Sequence, residues 1–155
     1  MDGLTDPQNL GNIIRTVACL GGFSIVLPTH DSVEVTETVL RVSAGGDNYV
    51  KVAQVSNLNQ AILKAKENDF WIAGTVVEEG QSIYEMEWPF PLGLVIGSEP
   101  KGIRETIRKN LDMTVTIPMA YERLSLNVAT ATALCCYEII RQRQSRHLKK
   151  LEKNS

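Results

Sequence analysis

The feature that most constrains the fold is the alternation of short apolar runs with helical segments along the 155-residue chain. Apolar runs of strand length lie at 23–27, 50–55, 71–77, 92–96 and 115–117. Segments with helical spacing or helix caps lie at 6–20, 36–42, 57–65, 102–110 and 125–150. Strands that alternate with helices form a mostly parallel sheet with helices on both faces. The sequence therefore predicts an α/β fold in a single domain, residues 1–155.

Cap residues indicate where the first and third helices begin. Asp6 is an N-cap candidate with Pro7 at the first helical position, and Asn57 is a second N-cap candidate. A sheet of this type normally begins with a strand before the first helix, yet only five residues precede Asp6. We therefore expect the first strand to be short or cut off. The chain is then either a catalytic domain separated from a longer protein or an intact small enzyme.

Composition narrows the class of protein. No apolar run approaches the roughly 20 residues of a membrane span and no signal-peptide pattern is present, so we expect a cytoplasmic protein without a membrane partner. The three cysteines form neither a disulfide framework nor a metal-binding spacing. A net charge of −2 argues against a free-standing, high-affinity nucleic-acid binder. The basic residues near the C-terminus are either a solvated helix end or an RNA-facing patch.

A nucleotide-like ligand at the carboxyl ends of the strands is the default for such a sheet. The G-x-G-x-x-G fingerprint is absent, and residues 97–102 have the wrong spacing for a P-loop. A pyrophosphate or triphosphate ligand is therefore not expected, and no metal is. Three strand ends remain as candidates, at 74–77, 96–99 and 117–119.

These strand ends carry residues suited to a flat ligand. Gly97 would allow a ligand to approach the backbone closely. Ile117, Met119 and Leu126 could enclose an aromatic base while backbone groups read its edge.

Three motifs occur in a fixed order along the chain: DPQNLGNIIRT at 6–16, LVIGSE at 94–99, and IPM at 117–119 followed by SLNV at 125–128. Together they resemble the motifs of the SpoU (TrmH-like) RNA ribose 2'-O-methyltransferases, a branch of the SPOUT superfamily. The resemblance covers essentially the whole chain. It implies a C-terminal deep trefoil knot (the α/β knot) that holds S-adenosylmethionine in a bent form. It also implies methylation of a ribose in tRNA or rRNA, with guanosine favoured, and an N-terminal RNA-recognition domain that this chain lacks.

The resemblance also implies roles for individual residues. Asn9 and Arg15 belong to the catalytic pocket, Glu99 orders the motif-two loop, and Ser125 and Asn127 complete the site. The residues implied or expected to bind the cofactor are Thr75, Val76, Ile96, Gly97, Ile117, Met119, Leu126 and Asn127. Because a guanidinium stays protonated, we expect Arg15 to grip an RNA phosphate and stabilise charge on the attacking oxygen, rather than to act as the base.

Structural alternatives exist for some of these residues. Asn9 could make an amide bond at a helix entry, and Ser125 could be the N-cap of the last helix. Tyr121 stands where the family often has glycine, and it could narrow the loop against the cofactor.

The last helix predicts a homodimer. Leu134, Cys135, Cys136, Tyr137 and Ile140 surround it almost completely with apolar side chains. A helix that is apolar all round should be covered on two sides, and the resemblance likewise implies a dimer.

Two other functions remain open at this point. One is a non-catalytic RNA-binding or assembly module with the same fold. The other is an ordinary doubly wound nucleotide-binding enzyme, which the missing glycine fingerprint disfavours.

Overall fold

The computed structural model of the chain describes residues 1–97, 102–121 and 124–152. Five helices and six strands alternate along these residues, with one 3-10 turn at Gly46–Asn48. In chain order the elements are α1 (Pro7–Leu20), β1 (Ser24–Pro28), α2 (Glu37–Ser43), β2 (Lys51–Val55), α3 (Leu58–Lys66), β3 (Trp71–Thr75), β4 (Gln81–Ser82), β5 (Leu92–Val95), α4 (Glu105–Arg108), β6 (Met113–Thr116) and α5 (Val128–Glu152).

The strands form two parallel sheets rather than the single sheet predicted, and they confirm the α/β class with parallel strands. β1 pairs with β2, and the other strands follow the order β4-β6-β3-β5. Every pairing between these strands is parallel. Residues 1 and 2 lie between the two sheets: the Met1 ammonium donates to the Val26 carbonyl oxygen at 2.8 Å, and the Asp2 N–H donates to the Ile96 carbonyl oxygen at 2.8 Å. The expected short first strand is a single parallel bridge between Asp2 and Gly97.

Helices cover both faces of the strands, because successive strand residues pack into different clusters. Val26 and Val95 pack with residues of α3 and α4. Ile25, Leu27 and Ile96 pack with residues of α1 and α5. Since side chains alternate between the two faces of a strand, α1 and α5 lie on one face and α3 and α4 on the other.

Several predicted boundaries are wrong by a few residues. β3 ends at Thr75 rather than 77, because the chain turns away after Val76, and Glu79 has φ 61°. β6 begins at Met113, two residues earlier than predicted, and ends before Pro118, which has no N–H for a ladder. The predicted connection at 80–91 contains the two-residue strand β4. α5 begins at Val128 rather than at 125.

No helix among the described residues is long and apolar enough to cross a membrane. The same part of the chain contains no group of three or more His, Cys, Asp or Glu side chains that could hold a metal ion.

Candidate functional site

The start of α1 positions the first motif. Asp6 is its N-cap, as predicted: its Oδ1 accepts a hydrogen bond of 2.9 Å from the Gln8 N–H, and Pro7 occupies the first helical position. This capping places Asn9 in the first turn of α1, where its side chain is half-buried. Asn9 is therefore held at the carboxyl edge of the sheet, next to the beginning of the helix.

Arg15 lies on the solvent side of α1. The exposed residues of this helix follow a spacing of four, three and four positions, which defines one stripe: Gln8, Asn12, Arg15 and Cys19. Within the described residues, the Arg15 side chain makes no hydrogen bond or ion pair. Its guanidinium is thus available to an anionic ligand such as a phosphate.

Asn127 begins the last helix. Its Oδ1 accepts hydrogen bonds from the N–H groups of Ala129 at 2.9 Å and Thr130 at 3.4 Å, which is the pattern of an N-cap. Asn127, and not Ser125, therefore caps α5. Ser125 is exposed two residues before the cap.

The structure brings Asn9 and Asn127 together, although 118 positions separate them in sequence. Asn127 Nδ2 donates to Asn9 Oδ1 at 2.9 Å. Because Asn127 Oδ1 accepts from the helix N–H groups, its NH2 must face Asn9. Asn9 therefore presents its oxygen to Asn127 and keeps its own NH2 for another acceptor. Asn9 thus makes a contact with the other end of the chain, beyond the local amide bond at a helix entry that was its structural alternative.

Six of the eight predicted cofactor-binding residues lie at or just beyond the carboxyl ends of three neighbouring strands, and Leu126 and Asn127 directly precede α5. Thr75 ends β3, Ile96 follows β5 and Ile117 follows β6, and β3 lies between the other two strands. Because the strands are parallel, these ends share one edge of the sheet. Six of the residues are half-buried and so retain surface for a ligand: Thr75, Val76, Gly97, Ile117, Met119 and Leu126. Ile96 is buried, with 3% of its surface exposed.

Position 97 requires glycine for a structural reason that the sequence did not reveal. A Cβ built on Gly97 would lie 2.3 Å from the carbonyl carbon of Gly102 and 2.4 Å from the Ile103 nitrogen. The close approach at Gly97 is thus made by the chain itself. Glu99 lies outside the described residues, so its role in ordering this loop stays a prediction.

Asp2 and Arg104 form an ion pair that the sequence analysis did not predict. Asp2 is 1% exposed, and its carboxylate accepts hydrogen bonds from the Arg104 N–H and from Arg104 Nε, both at 2.7 Å. This ion pair ties the first residues of the chain to Arg104, which directly follows the Gly102 and Ile103 backbone that lies against Gly97. The available signal was an acidic residue beside the missing first strand, but its partner lies 102 positions away.

Tyr121 does not pack into the protomer. Its surface is 70% exposed, and its carbonyl oxygen accepts a hydrogen bond from the Leu124 N–H at 3.2 Å. Leu124 is also largely exposed. The predicted narrowing of the loop by Tyr121 therefore has no support within the described residues of one protomer.

The domain is a parallel α/β domain. At the carboxyl edge of its strands, Asn9 from the start of the chain meets Asn127 from near its end, and these two features indicate the class of protein. The profile of the SpoU rRNA Methylase family matches residues 1–137. The chain belongs to this family.

Individual relatives and solved structures agree with that assignment. The chain is 37% identical over 144 residues to the 23S rRNA (guanosine-2'-O-)-methyltransferase RlmB of Pseudomonas putida, covering 93% of this chain and 58% of that protein. It is 43% identical over 143 residues to an uncharacterized tRNA/rRNA methyltransferase of Synechocystis, covering 92% of this chain and 37% of that protein. The chain thus spans between about a third and three-fifths of the length of these relatives.

Two solved structures share the fold. The SpoU methyltransferase AviRb of Streptomyces viridochromogenes, in complex with the cofactor AdoMet, superposes with a TM-score of 0.83 at 30% identity, covering 93% of this chain and 56% of that one. The TrmH/SpoU tRNA modifying enzyme of A. aeolicus gives a TM-score of 0.84 at 27% identity, covering 94% of this chain and 74% of that one.

Proposed function

We propose that this chain is an S-adenosylmethionine-dependent methyltransferase domain that acts on a ribose 2'-hydroxyl in tRNA or rRNA. The observation that carries the proposal is the hydrogen bond between Asn9 and Asn127, because it joins motif one to motif three beside the three strand ends. The relatives support both the activity and the class of substrate. The name of the RlmB relative favours guanosine as the methylated nucleotide, and RNA as the substrate favours a cytoplasmic location.

The strand ends fit S-adenosylmethionine. Among the predicted cofactor residues, Val76, Ile117, Met119 and Leu126 are apolar and half-buried, and none of the set is Lys or Arg. Such a surface suits a nucleoside without phosphate groups rather than a phosphorylated one. The AdoMet complex of AviRb, whose fold superposes on this chain, supports the choice of cofactor. We extend the resemblance to the knotted path of the C-terminal segment.

The chemistry follows from the side chains. S-adenosylmethionine supplies an electrophilic methyl group, while a ribose hydroxyl is a weak nucleophile that must be oriented. The free NH2 of Asn9 holds the hydroxyl, and Asn127 fixes the orientation of Asn9. Arg15 binds the adjacent phosphate and stabilises negative charge that develops on the attacking oxygen. The proton leaves to a phosphate oxygen or to water. Ser125 contacts the nucleotide at the exposed entry, and Glu99 orders the motif-two loop.

The placement of Arg15 supports a homodimer. Arg15 follows Asn9 by six positions, which rotates its side chain by roughly 120° away from Asn9 around the helix axis. Arg15 therefore faces away from the site that Asn9 borders in the same protomer. We propose that it completes the site of a second copy.

The exposed apolar side chains of α5 provide the dimer surface. Leu134 is 43% exposed and Tyr137 is 61% exposed, at a spacing of three positions. Cys135, Cys136 and Ile140 are buried within the protomer. The helix is thus covered on one side by its own core and open on the other, and a helix that is apolar all round should be covered on both sides.

Cofactor titration and methyl transfer test the proposal together. Calorimetry should show binding of S-adenosylmethionine and no binding of NAD or ATP, which excludes an ordinary nucleotide-binding enzyme. Incubation with tritiated S-adenosylmethionine and a mixture of tRNA and rRNA should transfer label to RNA. RNA binding without transfer, on every RNA offered, would instead support the non-catalytic module.

A further inference from the structure

We propose that a second cleft on the same edge of the sheet binds one nucleotide of the RNA strand next to the methylated nucleotide. The cleft has a volume of about 360 Å³ and lies beyond the ends of β1 and β2. We call it the α3 cleft; the polar residues that line it are His30, Asp31, Ser56, Asn57, Asn59, Arg104 and Thr106. This inference rests on the proposed function, since it assigns part of the substrate contact.

The position of the α3 cleft favours a substrate that also reaches the methylation site. β1 ends at Pro28 and β2 at Val55, and the cleft residues follow these ends directly. The strands that carry the proposed cofactor site are linked to β1 through the first two residues: Met1 bonds to Val26 of β1, and Asp2 makes a parallel bridge with Gly97, just after β5. An RNA strand laid along this edge would pass both places.

Arg104 connects the α3 cleft with the proposed cofactor site at Gly97. It lines the α3 cleft, and it immediately follows Gly102 and Ile103, which lie against Gly97. Its Nε is held by the buried carboxylate of Asp2, while 49% of the side chain is exposed. Within the described residues, its terminal NH2 groups have no partner. A guanidinium fixed at Nε with both terminal NH2 groups free is suited to a phosphate oxygen.

The first turn of α3 adds donors on the same wall. Asn57 is its N-cap and accepts a hydrogen bond of 3.0 Å from the Gln60 N–H. The N–H groups of Leu58 and Asn59 precede this one and have no acceptor within the helix. Together with Arg104, they give the cleft a site for an anion that does not depend on the helix end alone.

The rest of the cleft suits a base and a sugar. Pro28, Leu58 and Ile107 are largely buried and form the apolar wall of the cleft, while the exposed ring of His30 can stack on a base. Asp31 is the single carboxylate among the lining residues; it would repel a phosphate but can accept from a ribose hydroxyl. A volume of about 360 Å³ is at the lower end of small-molecule pockets, which matches one unpaired nucleotide rather than a duplex.

Photocrosslinking tests the location directly. A mixed-sequence RNA that contains 4-thiouridine is irradiated with the full chain in the presence of S-adenosylhomocysteine, and the crosslinked peptides are identified by mass spectrometry. We expect crosslinks in the peptides that carry His30 or residues 56–59. Crosslinks that are confined to α1 and α5 would overturn the proposal.

A matched pair of variants tests whether the cleft contributes to affinity. His30→Glu places a negative charge in the cleft, while Asn68→Glu makes a similar change of charge at an exposed position just beyond the C-terminal end of α3, away from the cleft. By anisotropy with the same RNA, His30→Glu should raise Kd at least about fivefold and Asn68→Glu less than about twofold. Equal effects of the two variants, or none, would refute the cleft.

Two further readouts separate this proposal from the proposed function. The Kd for S-adenosylmethionine should be the same in both variants and the parent, because the α3 cleft contains none of the proposed cofactor residues. If the parent chain transfers no methyl group but His30→Glu still weakens RNA binding selectively, the cleft stands and the methyltransferase proposal fails. If methyl transfer occurs and His30→Glu has no effect on RNA binding, the methyltransferase proposal stands and the cleft proposal fails.

Discussion

Asn127 Nδ2 donates a hydrogen bond of 2.9 Å to Asn9 Oδ1, and this bond joins the N-terminal ends of the first and last helices. The same Asn127 side chain caps α5 through its oxygen. One residue therefore starts a helix and fixes the orientation of a second amide at the proposed site. The two roles can be separated by substitution, because capping uses the oxygen and the contact with Asn9 uses the nitrogen.

Asn127→Ala should lower stability and function together. It removes the cap, which should cost about 1 kcal/mol in the free energy of unfolding, and it leaves Asn9 without its partner. We expect weaker binding of S-adenosylmethionine and slower methyl transfer, measured by calorimetry and by transfer of labelled methyl groups to RNA.

Asn127→Asp is the matched variant, because a carboxylate still accepts from the N–H groups of Ala129 and Thr130. Asn9 can pair with it only by turning its NH2 inward, so that its oxygen faces the substrate. The free energy of unfolding should stay within about 0.5 kcal/mol of the parent value, while transfer falls about tenfold or more. Transfer at the parent's rate would show that Asn127 is only a helix cap.

Arg15→Ala should abolish methyl transfer and leave cofactor binding nearly intact. Arg15 is exposed on α1, away from the strand ends, so its loss should not disturb the cofactor site. Losing a charged transition-state contact should cost about 3–4 kcal/mol, or on the order of 10²–10³ in rate. The control is Lys64→Ala, an exposed cation on α3, on the other face of the sheet. A folded Arg15→Ala protein that fails to bind S-adenosylmethionine would contradict this assignment.

Tyr137→Arg should separate the proposed dimer. The parent should sediment at twice the protomer mass of 17.2 kDa at micromolar concentration, and the variant at the protomer mass. Leu63→Arg, which changes a 41% exposed side chain on α3, should leave the dimer intact. A parent chain that sediments as a stable monomer would refute the dimer and the proposed placement of Arg15 in a second copy's site.

The two adjacent cysteines should be unreactive in the folded protein. Burial raises the pKa of both Cys135 and Cys136 to about 12, and the charge of Cys135 adds to the effect on Cys136. In a Cys19→Ser chain, a thiol reagent at pH 8 should label neither cysteine until the protein is unfolded. The pKa of each thiol is thus higher in the folded state than the ordinary value of 9.0. Protonation of the thiols therefore contributes to the free energy of unfolding below pH 9, and this stabilisation is lost between about pH 9 and 12. Rapid labelling of the native chain would contradict the buried placement.

Asp112→Asn should remove part of the acid sensitivity of the fold. Burial alone would raise the pKa of Asp112, but hydrogen bonds from Lys66 Nζ at 2.6 Å and the Ile72 N–H at 2.8 Å, with the Lys66 charge, hold that pKa below its usual value. A lowered pKa means that the carboxylate stabilises the fold above its unfolded pKa of about 3.8, and that this is lost as the pH falls through the folded pKa.

Urea unfolding at several pH values measures this effect. At pH 7 the variant should be less stable than the parent by under about 1 kcal/mol, since the pair is partly exposed, and the difference should shrink below pH 4. Asp69→Asn, at an exposed residue with φ 62°, is the control for the same change of side chain. A constant difference at all pH values would rule out the ion pair as its cause.

The sequence predicted the features that depend on neighbouring residues. The caps Asp6 and Asn57 are correct because an N-cap bonds within its own first turn. The parallel sheet followed from the alternation of strands and helices. The start of α5 was placed too early because Ser125 and Asn127 are both good N-caps. Asn127 is the residue that caps the helix, and its side chain also contacts Asn9 at the other end of the chain.

The remaining errors and omissions involve contacts between distant positions. Asp2 pairs with Arg104 across 102 positions, and no local pattern indicates this. The need for glycine at position 97 arises from the backbone at Gly102 and Ile103, which the sequence alone could not distinguish from close approach by a ligand.

The most direct test of the central claim is nucleoside mass spectrometry after methyl transfer. RNA that has been incubated with the chain and with S-adenosylmethionine carrying a deuterated methyl group is digested to nucleosides. We predict that the label appears on a ribose 2'-oxygen, most abundantly in guanosine, and that it is absent with Arg15→Ala. Label found only on bases, or equal label with the parent chain and Arg15→Ala, would contradict a ribose methyltransferase site built on Asn9, Arg15 and Asn127.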